Sequence, residues 1–188
     1  MDILLLATIY KNGEEVYTWA MHALSLPVRN SDSLSIAIHG KIDHRLADHQ
    51  RVLFSGSDEN LGYLRGCNSA LTSYLNAGKA IPDWTGVCNT DIEFDLEFFK
   101  KLPLAPENAS CIAPSIKIKG SNIKQNPFLE KRPTPTQTNI LKWISKSRRL
   151  FALIWALRRI LNSPRKKSKN TSIRRAIYAP HGACFLLN

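Results

Sequence analysis

Apolar residues fall in two patterns over the first 118 positions: short unbroken runs and one-sided stripes. Residues 3–10 hold Leu4, Leu5, Leu6 and Ile9 in close succession, as expected of a central strand covered on both faces. A stripe follows, with Val16, Trp19, Ala20, Ala23 and Leu24 on one side of a helix. Asn12 is its expected N-cap, Glu14 and Glu15 suit its first turn, and Pro27 stops it. Residues 34–39 and 51–55 are the next expected strands, and a helix over about 65–77 should end at a left-handed Gly78. Residues 84–89 (Trp-Thr-Gly-Val-Cys-Asn) read as another buried strand, a helix should lie near Phe94–Leu102, and Ser110–Ile118 reads as a further strand. Strands and helices in alternation predict an α/β fold with a mostly parallel, Rossmann-like sheet flanked by helices. In such sheets ligands bind beyond the carboxyl ends of the strands.

The pattern changes after residue 120, where Pro127, Pro133 and Pro135 interrupt regular structure. Residues 139–161 then carry a long helical stripe. Ile140, Trp143, Ile144, Leu150, Phe151, Ile154, Trp155, Leu157 and Leu161 share one arc, and Lys142, Lys146, Arg148, Arg149 and Arg159 fall largely on the other. Arg158 intrudes on the apolar side, Asn162-Ser163-Pro164 ends the pattern, and the basic run 165–169 follows. A last pair of strands is expected at Ala176–Tyr178 and Ala183–Leu187. Three parts result: a core over 1–130, a basic amphipathic helical appendage over 131–175, and a return strand within 176–188.

Composition narrows the classes. With 188 residues, 44% hydrophobic and 22% charged, the chain is neither disordered nor a membrane bundle, and no apolar run reaches the roughly 18 residues of a membrane span. Asp2 stands where a signal peptide carries cations. Four cysteines at scattered spacing (Cys67, Cys88, Cys111, Cys184) suit neither a zinc site nor a disulfide framework and fit a reducing cytoplasm. Charge is strongly divided: residues 1–130 carry 12 Lys/Arg against 15 Asp/Glu, whereas 131–188 carry 14 Lys/Arg and no acid. That asymmetry points to a polyanionic partner, an acidic membrane surface or nucleic acid.

Two stretches could carry chemistry. Asn89-Thr90-Asp91-Ile92-Glu93 sets acids directly after a buried strand, where a carboxylate can hold Mg²⁺ or Mn²⁺ while a diphosphate supplies further oxygens. Asp91 as a cap of the following helix is an equal alternative from spacing alone. Asn60-Leu61-Gly62-Tyr63-Leu64-Arg65-Gly66-Cys67-Asn68 leads from a loop into a helix whose N-terminus favours anions; an ordinary loop is the alternative, and no dinucleotide fingerprint is present. His39, His44 and His49 are spaced for surface or hydrogen-bonded roles more than for a metal cluster.

These residues, in this order, resemble family 2 glycosyltransferases of GT-A fold, especially bacterial rhamnosyltransferase-like enzymes. Thr8-Ile9-Tyr10-Lys11-Asn12 is similar to the family's first strand and nucleotide-facing turn, and Asn60-x-Gly62 through Gly66-x-Asn68 to its N-x-G-x-x-x-G-x-N segment. Asn89-Thr90-Asp91 is similar to a variant D-x-D metal motif with its last Asp, and His181-Gly182-Ala183-Cys184-Phe185 to a later strand near the acceptor site. The resemblance spans nearly the whole chain. It implies that Thr8 and Tyr10 flank the base and ribose of a UDP- or dTDP-sugar, that Asn60, Gly62, Gly66, Asn68 and Asn89 shape the nucleotide pocket, and that Asp91 binds Mn²⁺ or Mg²⁺. Transfer to a glycan or lipid-linked acceptor, with inversion, is implied in the same way.

Two departures stand out. Where the family carries a base-recognising Asp after its second strand, this chain has His39-Gly40-Lys41-Ile42-Asp43, with Asp43 a displaced equivalent. The family's catalytic base belongs to an acidic motif beyond the His-Gly-Ala strand, so it is expected past Asn188, as if only the front part of the enzyme were present. The tryptophan-bearing helix suits a membrane interface through Trp143, Phe151, Trp155, Arg148 and Arg149; a core helix is the alternative. The resemblance favours the cytoplasmic face of the cell membrane and disfavours nucleic acid. A non-enzymatic polyanion-binding module and an inactive remnant are the rival readings.

Overall fold

The structure, a computed structural model, describes residues 1–9, 13–29, 31–57, 59–104, 109–116, 133–147, 152 and 184–188. The chain divides into two compact units, Met1–Pro127 with Pro180–Asn188, and Phe128–Ala179.

In the first unit the described elements run β1 (Asp2–Thr8), α1 (Gly13–Ser25), β2 (Ser33–His39), β3 (Val52–Phe54), α2 (Tyr63–Asn76), β4 (Trp84–Cys88), α3 (Phe98–Lys101), β5 (Cys111–Ile112) and β6 (Cys184–Leu187). They form one six-stranded mixed sheet in the order β3-β2-β1-β4-β6-β5. β1 pairs in parallel with β2 and β4, and β2 with β3. β6 enters antiparallel between β4 and β5. The fold is α/β and Rossmann-like, and the return strand is an integral part of this sheet.

The unbroken apolar run of β1 has its reason in the two layers that cover it. Ile3, Leu5 and Ala7 join Leu34, Ile36 and Ile38 of β2 against Val16, Trp19, Ala20 and Ala23 of α1. Leu4 and Leu6 point the other way, with Ala37, against Cys67 and Ala70 of α2 and Val87 of β4. Side chains that alternate across a strand must all be apolar when both faces are buried.

Several boundaries differ from expectation. The helix expected near Phe94–Leu102 is the single turn α3 followed by a 3₁₀ turn at Leu102–Leu104. Phe94 is instead a buried anchor against Trp19 and Phe99, and Asp95 Oδ1 accepts the Glu97 amide at 3.0 Å in a local turn. Of the strand expected over Ser110–Ile118, the described residues, which reach 116, form only Cys111–Ile112. Gly78 has φ +74° and ends α2 as expected.

In the second unit α4 spans Pro135–Ser145. Pro135, expected as a breaker, occupies the first helical turn, and Thr134 and Gln137 form a reciprocal capping box (Gln137 N to Thr134 Oγ1 3.2 Å, Thr134 N to Gln137 Oε1 2.9 Å). The remainder of the expected 139–161 helix beyond Ser147, residue 152 excepted, and the strand at Ala176–Tyr178 lie outside the described residues. Among the described residues no helix is long and apolar enough to cross a membrane.

Candidate functional site

Strand order alone marks one edge of the sheet. The chain lays β1, β2 and β3 to one side, then returns to place β4 on the other flank of β1. Connections on either side of that reversal diverge, and the crevice they leave at the carboxyl ends is where open α/β sheets bind ligands. Thr8 pairs with His39 across β1 and β2. The β1–β4 register ends at Leu6 opposite Val87, and its continuation sets Thr8 level with Asn89. His39, Thr8 and Asn89 therefore lie in a row along this edge.

Helix α2 closes in beneath that row. A Cβ at Gly66 would land on the Thr8 side chain and within 3.0 Å of His39 Cδ2, so only glycine lets the helix approach this closely. Gly62, the N-cap of α2, has φ +73° and offers no side-chain oxygen to the first-turn amides. Asn60 shapes the turn before it, with Oδ1 accepting the Gly62 amide at 3.0 Å. Asn60 and Asn68 are exposed, and the Asn68 carbonyl accepts the Thr72 hydroxyl. The structure thus brings Gly66 against Thr8, sets Asn89 level with Thr8 along the same edge, and gives Asn60 and Gly62 a part in the turn that leads into α2. Tyr10, His181, Gly182 and Ala183 lie outside the described residues.

Asp91 follows at the exit of β4, exposed to solvent. The next helix begins only at Phe98, with Glu97 at its cap, so the capping role open to Asp91 from spacing is not what it does. Asn89 and Thr90 beside it are half-buried. Burial first, then the nearby Cys88, Cys67 and Cys184 and the Asp91 carboxylate, push the Tyr63 phenol above its ordinary range. The Tyr63 hydroxyl is buried with no hydrogen-bond partner among the described residues.

Three side chains hold this edge in place, two of them, Thr90 and His22, in roles the sequence gives no sign of, and the third, His39, in the hydrogen-bonded role its spacing allows. Thr90 Oγ1 donates to Glu15 in the first turn of α1, and His22 Nε2 donates to the Phe94 carbonyl at 3.2 Å. Asp91 is thereby flanked by two ties to α1. His39, 2% exposed, donates from Nε2 to the Glu59 carbonyl at 2.9 Å, which fixes its tautomer and leaves Nδ1 to accept the Ser55 hydroxyl at 2.9 Å. It anchors the loop that leads to Asn60. These partners are 16 to 75 positions apart in the chain, a separation no local spacing reveals.

Among the described residues the other histidines form no cluster. His44 is exposed beside Asp43 at 4.0 Å, and His49 Nδ1 accepts the Arg51 amide. Asp43, the displaced candidate for base recognition, is instead occupied by Arg45, which reaches its two oxygens from Nε at 3.0 Å and from a terminal nitrogen at 2.8 Å. The Arg45 hydrogen bonds hold the Asp43 carboxyl at about 2.

A divalent ion is compatible with these groups in one form only. Among the described residues no three His, Cys, Asp or Glu side chains converge on one point. Mg²⁺ and ions like it commonly take one or two carboxylates plus substrate phosphates and water, and the exposed Asp91 fits that donor set. A cavity of about 240 Å³ lined in part by Ser35, Arg51, Tyr74 and Lys79 sits at the amino ends of β2 and β3, away from every expected residue. Sheet topology favours the opposite edge.

On α4 of the second unit, Trp143 is 67% exposed and Ile140 51%, with Ile144 half-buried one turn on. Phe151, Trp155, Arg148 and Arg149 lie outside the described residues. No protein-family model matches the chain, and comparison with curated proteins and with solved structures likewise gives no match.

Proposed function

We propose that the chain is a nucleotide-sugar glycosyltransferase of GT-A type, or the donor-binding part of one, assisted by Mn²⁺ or Mg²⁺ and attached to the cytoplasmic face of a membrane. The observation that carries the reading is the exposed Asp91 at the carboxyl end of β4, beside the reversal of strand order. It is supported by the convergence of Thr8, Gly66 and Asn89 on the same edge. The base and ribose of a UDP- or dTDP-sugar would lie over Thr8, with the glycine-bearing start of α2 close to the phosphates. A metal held by Asp91 would neutralise the charge that develops on the departing nucleoside diphosphate. Residues 131–188 carry no carboxylate, so the reading is tested on donor binding and not on transfer to an acceptor.

The experiment is thermal melting of the full chain with UDP or dTDP, with and without Mn²⁺. A nucleotide at 100 times its dissociation constant stabilises the folded state by about 2.7 kcal/mol, a rise of several degrees. That rise should require Mn²⁺ and disappear in Asp91→Ala. If neither nucleotide shifts the wild-type melt with metal present, the donor site is absent. The exposed Trp143 and Ile140 favour the membrane as the partner of the basic unit. A helix that serves only as a nucleic-acid face needs no apolar stripe turned to solvent.

A further inference from the structure

Spacing gives no sign that any two of the four cysteines meet, yet two of them do. The antiparallel register of β4 and β6 sets Cys88 directly opposite Cys184, and their Sγ atoms are 3.4 Å apart. The two residues are 0% and 1% exposed, and both thiols are free. Facing residues on antiparallel strands have Cα atoms about 4.5–5.5 Å apart, within the span of about 4.4–6.8 Å that a disulfide bridges. An S–S bond of about 2.05 Å asks the two side chains to share a shift of little more than about 1 Å. We propose that Cys88 and Cys184 form a peroxide-oxidisable dithiol, whose disulfide locks β6 onto β4 beside the Asn89–Asp91 turn.

The chemistry balances with hydrogen peroxide as the oxidant. The thiolate of one cysteine attacks the peroxide, the O–O bond breaks, and a sulfenic acid and one water result. The sulfur of the other cysteine then attacks the sulfenic sulfur, forms the S–S bond and expels a second water. Two thiols lose two electrons and two protons, and one peroxide becomes two waters. The hydrogen bond with Cys184, and then burial, push the Cys88 thiol up, so the closed pair holds little thiolate. Oxidation therefore proceeds through brief opening of β6, a strand of four residues flanked on its outer side by the two-residue β5. Local openings of this kind have free energies that range up to that of global unfolding. Once a sulfenic acid forms, its partner is already in place, and the disulfide outpaces further oxidation. The dithiol requires no donor at Asp91, so its test and that of the donor site fail independently.

The full chain is treated with millimolar peroxide at neutral pH, quenched, and alkylated in denaturant. Alkylatable thiols should fall from four to two, the mass should drop by two hydrogens, and digestion should yield a peptide linking Cys88 to Cys184. Melting should rise by roughly 5–10 °C and return with dithiothreitol, because the link closes a long loop. Cys67→Ala/Cys111→Ala must keep all of these responses, and Cys184→Ala must lose them. If Cys184→Ala does not fold, the mapped peptide from the double variant decides. Four reactive thiols after treatment, a link that includes Cys67, or sulfinic acid without a link would each overturn the proposal.

Discussion

Asp43 gives both carboxylate oxygens to the Arg45 guanidinium, which also donates to Glu14 at 2.6 Å and lies over the Tyr17 ring, 4.0 Å from its centroid. The Asp43 side chain is only 10% exposed, and its carboxyl titrates near 2 in place of 3.8. A depressed acid is one whose ionised form folding favours, so its contribution is complete above about pH 5 and declines as pH falls through 4 toward 2. Asp43→Asn should therefore lower the melting temperature by a few degrees at pH 7, a modest cost because Arg45 is partly open to solvent. The gap from wild type should shrink to about half near pH 3, and an undiminished gap there would mean that packing, not charge, is what the substitution removes. The sequence offers Asp43 as a nucleotide ligand only through the family resemblance, which implies a base-recognising acid after β2. It cannot show that an arginine two residues on has already taken both oxygens. The glycine of Asn60-x-Gly62 and that of Gly66 are legible for the opposite reason, since the need for a positive φ or a missing Cβ is written in the residue type itself.

Among the elements, those with a strong period read correctly and those set by a single turn did not. β1, α1, β2, α2 and β4 fall within two or three residues of expectation because burial on one or both faces imposes a pattern on every position. α3 and β5 are too short to carry a pattern, and their extent is decided by tertiary anchors such as Phe94 and Phe99. The start of α4 is different, because its signal is present in the sequence: Thr134-Pro135-Thr136-Gln137 is a capping box with proline in the first helical turn, which tolerates it. Thr134→Ala should remove an acceptor for the Gln137 amide at a cost of about 1 kcal/mol, which is about fivefold in local opening. Hydrogen exchange of the first-turn amides should speed up by that factor in the full chain. Thr134→Asp, which keeps an acceptor at the cap, should restore wild-type exchange, whereas unchanged exchange in Thr134→Ala would show that the box contributes nothing.

At the scale of the whole molecule, chemistry and charge are divided along the chain. The acids belong to residues 1–130, and every charge in 131–188 is positive. A polybasic segment near an anionic bilayer gains about 1 kcal/mol per Lys or Arg close to the surface, and an apolar stripe adds area buried among the acyl chains. Salt weakens the first contribution and leaves the second nearly intact. The chain should therefore bind vesicles containing about a third anionic lipid at physiological salt, bind neutral vesicles far more weakly, and keep part of its anionic-vesicle affinity as salt is raised. Trp143→Ala should weaken vesicle binding roughly 5- to 10-fold, equivalent to about 1–1.4 kcal/mol, because that ring is turned to solvent and is available to the interface. Duplex DNA tested alongside separates the alternatives, since phosphate binding falls steeply with salt and is indifferent to an exposed indole. Tight, salt-sensitive DNA binding with no vesicle binding would assign the basic unit to nucleic acid and remove the membrane from the proposed function.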